Sequence, residues 1–462
     1  MSDETTSHSA GASGEDPLSE LLRRLGLNPP EDGVDLNALM GRIQAMMAQA
    51  QAGADSATGI DWAMARRTAR QVAASFGPDP VPSPTQRAQL ADSHRLAESW
   101  LDPAVSFEAC PAQAQAWSRA QWVEDTMDSW RAIVEPVVTA IAEAMSTGLG
   151  GEAAAELPEI AQLTGMLAPV MRMAAGQMYT AQLAQAIGEI SAEVVSGAEL
   201  GLQLLSSPRV VLLPTNAEAF VKGLGLPDED TLMYVVVREA ARQRLFSAVK
   251  WLGPQMLALI EHYAREITID TTALGDAIDI GDVSEMTPAR LAEVSEQLQG
   301  RLFKPTRTSE QESILARLET LLALVEGWVD AVAHEACAQW LTHEPALLEA
   351  VRRRRAAGGP TGKITSALLG LQLHPRLVRE SARFWQVVLA DRGVAGRDGL
   401  WSHPDLMPSA ADIEDPIGFV RGEQHEETDA DWDSELTRLL EQSDRGDEDR
   451  GDRGRDEGPG AD

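Results

Sequence analysis

Residues 237–246 read Val-Arg-Glu-Ala-Ala-Arg-Gln-Arg-Leu-Phe. Within them Arg238, Glu239 and Arg242 keep the spacing of His-Glu-x-x-His, with arginine at both histidine positions. In that pattern the two imidazoles stand at i and i+4, one turn apart on one helix face, so both reach one metal ion. The glutamate between them takes a proton from metal-bound water. Arginine stays protonated and offers no lone pair, so neither Arg238 nor Arg242 binds zinc. Taken alone, the pentamer has a plain alternative: a glutamate and two arginines on an alanine-rich helix forming ion pairs on a solvated face.

A second segment bears on the choice. Leu321–Glu335 reads LLALVEGWVDAVAHE, in which Glu326 and Asp330 stand four apart among apolar residues. That spacing puts both carboxylates on one helix face. If the face is buried, both need partners, because an unpaired buried charge is costly. Arg238 and Arg242 would serve, and two guanidinium charges equal one Zn²⁺ in total. If the face is exposed, Glu326 and Asp330 are a solvated stripe.

Histidines offer another ligand source. There are eight. His334 follows Asp330 by one turn on the same face and could approach Glu326. His403 lies in the loop Ser-His-Pro-Asp-Leu. A rebuilt site from His334, Glu326 and His403 is the alternative ligand set, while the ordinary role of a lone histidine is that of a satisfied polar group. His262 and His374 have no such neighbours in sequence. Glycine-rich phosphate loops, dinucleotide fingerprints and Gly-x-Ser-x-Gly elbows are absent. The two cysteines, Cys110 and Cys337, form no Cys-x-x-Cys or Cys/His cluster, which suits a reducing cytoplasm.

The elements that must carry these residues read as helices. Periodicity predicts helices over Asp61–Phe76, Thr85–Asp102 and Ala114–Gly148, the last with Trp117, Trp122 and Trp130 on one stripe. Two more fall within 157–204, where the apolar run Leu163–Tyr179, broken by Arg172 and Gln177, reads as buried rather than membrane-spanning. Pro208–Pro214, Pro-Arg-Val-Val-Leu-Leu-Pro, is the best strand. Asn216 can cap a helix over Ala217–Leu224. The site helices are predicted over 231–252 and 309–342, the first opened by Asp228, Glu229 and Asp230. A helix over 254–269 lies between them, then an acidic peripheral stretch, Asp270–Gly300. His343–Arg355 extends the bundle; Arg352–Arg355 before Gly358-Gly359-Pro360 reads as a helix stop, with a nucleic-acid patch as the alternative.

The flanks differ from this core. Residues 1–16 are polar and acidic, with no apolar core of a secretory signal, and are expected to be disordered. Residues 17–59 form an amphipathic helical segment whose methionine-bearing face is a docking surface or packs on its own domain. Residues 421–462 hold 16 acids and 6 arginines and are expected to be a disordered tail. A net charge of −32 argues against nucleic acid and anionic membrane as partners, because like charges repel.

Several segments together resemble a known family: AESWLD (97–102), AWSRAQWVE (116–124), REAARQRLF (238–246), LLALVEGWVD (321–330), RRRRAAGGP (352–360) and LWSHPDLMP (400–408). The chain from about Asp61 to Val420 resembles the actinobacterial zincin-like family labelled zinc-dependent metallopeptidase or hydrolase, with relatives associated with deazaflavin-coenzyme biosynthesis. The resemblance implies a mainly helical zincin-like fold over 60–420, with a small β element and the two site helices facing each other. It implies Glu239 as general base, Glu326 as glutamate ligand and Asp330 as the residue behind a ligand histidine. The sequence departs from that pattern at Arg238 and Arg242. The favoured expectation is therefore a cytoplasmic pseudopeptidase that binds a protein or peptide, with no cofactor, or zinc if the family activity is retained. Two alternatives stand beside it: a metal-dependent hydrolase with an unusual ligand set, and a regulatory scaffold acting through its termini.

Overall fold

A computed structural model describes residues 59–149, 176, 179–267, 308–360, 362 and 374–422. The expectations for 1–58, for most of Leu163–Tyr179, for Asp270–Gly300 and for 423–462 lie outside these residues.

The described chain is mainly helical. Its helices are α1 (Trp62–Ser75), α2 (Pro84–Leu101), α3 (Arg119–Leu149), α4 (179–191), α5 (Pro214–Leu224), α6 (Asp228–Ala248), α7 (Leu252–Arg265), α8 (Ser309–Cys337), α9 (Glu344–Ala356) and α10 (Pro375–Gly399), followed by α11 (Ala410–Glu414) and α12 (Pro416–Arg421). Helix α8 is the axis, packed by α6, α7 and α10, while α2 covers the far side of α6. A Thr308/Gln311 capping box opens α8. Gly327 lets α10 approach closely: a Cβ there would lie 2.7 Å from the Ala382 amide nitrogen. That contact accounts for the glycine between Glu326 and Trp328.

The β element is smaller than the run between prolines suggests. Val211–Leu212 (β2) pairs in parallel with Gln115–Ala116 (β1). Leu212 also forms an antiparallel bridge with Ser196. These contacts pin the segment 195–198 against α6, which matters for the site.

Several helix limits differ from the periodicity reading. Residues 114–118 are not helical, and α3 starts at Arg119, where the Asp79 carboxylate accepts the Arg119 and Ala120 amides at 2.9 and 3.0 Å. Trp117 is thus off the stripe, while Trp122 and Trp130 meet edge-to-face at 6.4 Å. Asn216 does not cap α5, which begins at Pro214. It is buried and donates to the carbonyls of Ser191 and Val194 at 2.8 and 2.7 Å, and accepts from Arg119 at 2.7 Å. Helix α6 spans Asp228–Ala248 rather than 231–252, with the three acids inside its first turn. Helix α8 ends at Cys337 rather than 342.

Candidate functional site

Helix α6 carries Arg238, Glu239 and Arg242, and every residue from Met233 to Phe246 is buried. Hydrophobic cover is therefore not confined to one face. The polar residues lie inside the protein, where each needs a partner. Helix α8 brings Glu326 and Asp330 to them, both buried.

The contacts form one network. Arg242 donates through Nε to Glu326 Oε1 at 3.0 Å and through Nη2 to Glu326 Oε2 at 3.1 Å, a bidentate pair. Its Nη1 donates to Glu239 Oε2 at 3.0 Å. Arg238 donates to Asp330 Oδ1 at 2.7 Å and to Glu326 Oε2 at 3.5 Å. One guanidinium therefore joins the two glutamates, and the other joins the two carboxylates of α8.

Glu239 is the most enclosed of these residues. Besides Arg242, it accepts from Ser196 Oγ at 2.7 Å, the Ala198 amide at 3.1 Å and Gln243 Nε2 at 2.8 Å. The bridged segment 195–198 supplies two of those donors. Burial pushes the Glu239 carboxyl above its ordinary range, against the pull of Arg242, Ser196 and Gln243. Gly201, at φ +73°, sits close to Glu326: a Cβ there would lie 3.4 Å from Oε1. A residue with a side chain would be strained at that φ.

A third arginine joins from α9, and sequence reasoning missed its role. Arg355 donates to Glu326 Oε2 at 2.8 Å and lies 3.5 Å from Asp330 Oδ1. Arg352 Nε stands 3.5 Å from Asp330 Oδ2. Arg354 pairs with Glu199 at 2.8 Å and lies over the Phe220 ring at 5.0 Å. Burial tends to raise the Asp330 carboxyl, but Arg355 and Arg238 outweigh it and bring the group down to about 2. Arg352–Arg355 does stop a helix, yet three of its four side chains turn back onto buried or half-buried acids. The readable signal was the pair of carboxylates on α8, which require more donors than α6 alone provides.

The histidines stand apart from this network. His334 Nδ1 lies 3.0 Å from Glu344 Oε2, not against Glu326. His403 is 63% exposed and 3.4 Å from Asp405. His262 and His374, without neighbours in sequence, lie 4.0 and 2.6 Å from Glu310 and Glu319. The structure therefore does not bring His334, His403 and Glu326 together. Both cysteines are free and buried, and burial pushes the Cys337 thiol up to about 12, which makes it a poor nucleophile.

The donor set does not fit zinc. The two positions that would offer lone pairs carry guanidinium cations, and Arg242 already closes both oxygens of Glu326. Among the described residues no group of three or more His, Cys, Asp or Glu side chains is placed to hold a metal ion. No described helix is long and apolar enough to cross a membrane. A cleft of about 50 Å³ opens over the network, lined by Arg238, Arg242, Glu326, Arg354 and Arg355 with Phe220 and Val351.

Comparison with known proteins agrees with this fold. A solved structure from Chloroflexus aurantiacus, described as a "putative hydrolase with a novel fold", is similar at 18% identity and a TM-score of 0.55, over 79% of this chain and 99% of that one. A search of curated proteins found no match. Residues 60–420 match the zincin-like metallopeptidase family. That match spans most of the 462 residues, and the chain belongs to the zincin-like metallopeptidase family.

Proposed function

We propose that this protein is a pseudopeptidase, in which Arg238 and Arg242 stand in the places of the zinc-binding histidines and the cleft binds a peptide or protein partner. The observation that carries the reading is the position of the Arg242 guanidinium. It is bidentate on Glu326 while also bonded to Glu239. In an active relative those two carboxylates would face a metal ion, as ligand and as general base. Here a fixed cation holds them together, and Arg238 does the same for Glu326 and Asp330. The network keeps the charge balance of the site without a Lewis acid or an activated water.

The partner is a protein or peptide rather than a nucleic acid or anionic membrane, because the net charge of −32 repels both. The cytoplasm is the proposed setting. The actinobacterial, deazaflavin-associated background of the resemblance belongs to the same proposal, and the site geometry bears on neither. The alternative of a hydrolase with an unusual ligand set needs His334 and His403 near Glu326, and their observed partners are Glu344 and Asp405.

A peptide-library hydrolysis assay tests this reading, run on the full chain with added zinc and again with chelator. The expected result is no hydrolysis in either condition. Cleavage that zinc restores and chelation removes would overturn the pseudopeptidase. R238H combined with R242H is the complementary variant. It places two imidazoles one turn apart toward Glu326 and is expected to take up zinc that the wild type does not.

A further inference from the structure

The cleft over α6 and α9 has more cationic than anionic lining. Four arginines line it: Arg238, Arg242, Arg354 and Arg355. Two carboxylates line it with them, Glu199 and Glu326. Asp330 and Glu239 lie behind the floor, and Arg352 approaches Asp330 as a fifth guanidinium. Among the described residues, five guanidinium groups thus meet four carboxylates.

The sharing shows in the distances. Arg242 takes both oxygens of Glu326 and one of Glu239. Arg355 reaches Glu326 Oε2 at 2.8 Å but Asp330 only at 3.5 Å. Arg352 Nε is buried and, among the described residues, has no hydrogen-bond acceptor. A buried donor left without an acceptor is uncommon; Arg352 Nε is held only by the longer ion pair to Asp330 Oδ2 at 3.5 Å. Arg355 and Arg354 keep 18% and 23% of their side chains exposed, so a ligand can reach them from solvent. At physiological salt, charges more than about 8 Å away are largely screened. The local excess therefore sets the field inside the cleft, while the overall negative charge of the chain still acts on a polyanion or membrane that would lie across the whole surface.

The space of about 50 Å³ admits a few water molecules or one small planar anion. Val195, Phe220, Val235, Val351 and Pro360 complete the walls. Guanidinium forks match the geometry of carboxylates, and apolar walls match the carbon chain behind one. We infer that this cleft binds a carboxylate of a peptide partner, at its chain end or on a side chain, with the partly exposed Arg355 and Arg354 as the contacting groups and Phe220 and Val351 against the adjoining apolar residue. This rests on the reading of the cleft as a binding site rather than a catalytic one.

Calorimetric titration of the full chain with three short peptides tests it. The probes are acetyl-Ala-Ala-Leu with a free carboxyl terminus, the same peptide as its amide, and acetyl-Ala-Glu-Leu amide. A carboxylate-bearing probe is expected to bind at least about tenfold more tightly than the neutral amide. Whether the terminal or the glutamate carboxylate does so identifies the source. Arg355→Gln should erase the preference. Arg353→Gln, at a side chain 73% exposed and turned toward Glu349, should keep it. Equal binding of all three probes, or of none at millimolar concentration, would overturn the inference, and that comparison needs no variant. Chelation-sensitive cleavage of the probes would instead overturn the pseudopeptidase. Intact probes bound without regard to charge would overturn only the carboxylate site.

Discussion

Arg242 and Arg244 stand two residues apart on α6, both buried, and they face different partners. Arg244 turns to α2. It donates to Glu98 Oε2 and Asp102 Oδ1 at 2.7 Å each, and to the carbonyls of Phe107 and Glu98 at 3.1 Å each. His94 takes the other oxygen of Glu98 at 3.0 Å. Two of its acceptors are backbone, and Asp102 keeps 68% of its side chain in solvent. Arg242 turns to α8 and, among the described residues, its hydrogen-bond acceptors are side-chain carboxylates, those of Glu326 and Glu239, both buried. An arginine held by carbonyls is a brace between segments. An arginine held by buried acids, beside a cleft lined by three further arginines, is a charge placed at a site.

The two arginines should therefore fail differently when removed. Arg242→Ala leaves Glu326 and Glu239 buried without their main cation, and should cost about 3–5 kcal/mol of unfolding free energy. Arg244→Ala leaves two carbonyls and Glu98 short of donors but leaves Asp102 in water, and should cost about 2–3 kcal/mol. Denaturant unfolding of both variants measures the difference. A cost below about 0.5 kcal/mol for Arg242→Ala would place it on a solvated face and break the comparison.

Acid unfolding sharpens the site side of the comparison. Asp330 titrates at about 2 in the folded chain, against about 3.9 for an ordinary aspartate. A depressed folded value means that its contribution is complete above about pH 4 and is lost as the pH falls toward 2. The loss is about 2–3 kcal/mol. Glu239 is shifted the other way by burial, so its contribution favours the folded state in acid and declines as the pH rises past its unfolded value. Asp330→Asn should flatten the fall in stability between pH 4 and 2. An unchanged slope would mean that Asp330 is not held ionised by Arg355 and Arg238. The smallest effect should come from His403→Ala. That side chain is largely in solvent beside Asp405, so stability should move by less than about 0.5 kcal/mol and metal content not at all.

Much of the helical frame was legible because periodicity reports packing directly, as in α2 and α8. The pairing of Arg238 and Arg242 with Glu326 and Asp330 could be anticipated from the spacing of two carboxylates on an otherwise apolar helix. What could not be read was contact set by distant segments. Arg355 sits at a helix end where arginine has an ordinary role against the helix dipole, and only the fold turns it onto Glu326. Ser196 and the Ala198 amide reach Glu239 because a two-residue strand pins their loop, a signal too short for any pattern. Asn216 stands two residues after a proline where capping is expected, but Pro214 opens the helix earlier and frees the amide for the carbonyls of Ser191, at the end of α4, and Val194 beyond it. In α6 the polar residues hid complete burial, since charge in a sequence looks like solvent exposure until its partners are known.

The zinc content of the full chain, purified without added metal or a histidine tag and then equilibrated with excess zinc and desalted, is the most direct measurement of the central claim. The account predicts far less than one zinc per chain in both samples, because Arg242 and Arg238 already hold the carboxylates a metal would need. About one tightly held zinc per chain would contradict it and return the site to metal chemistry.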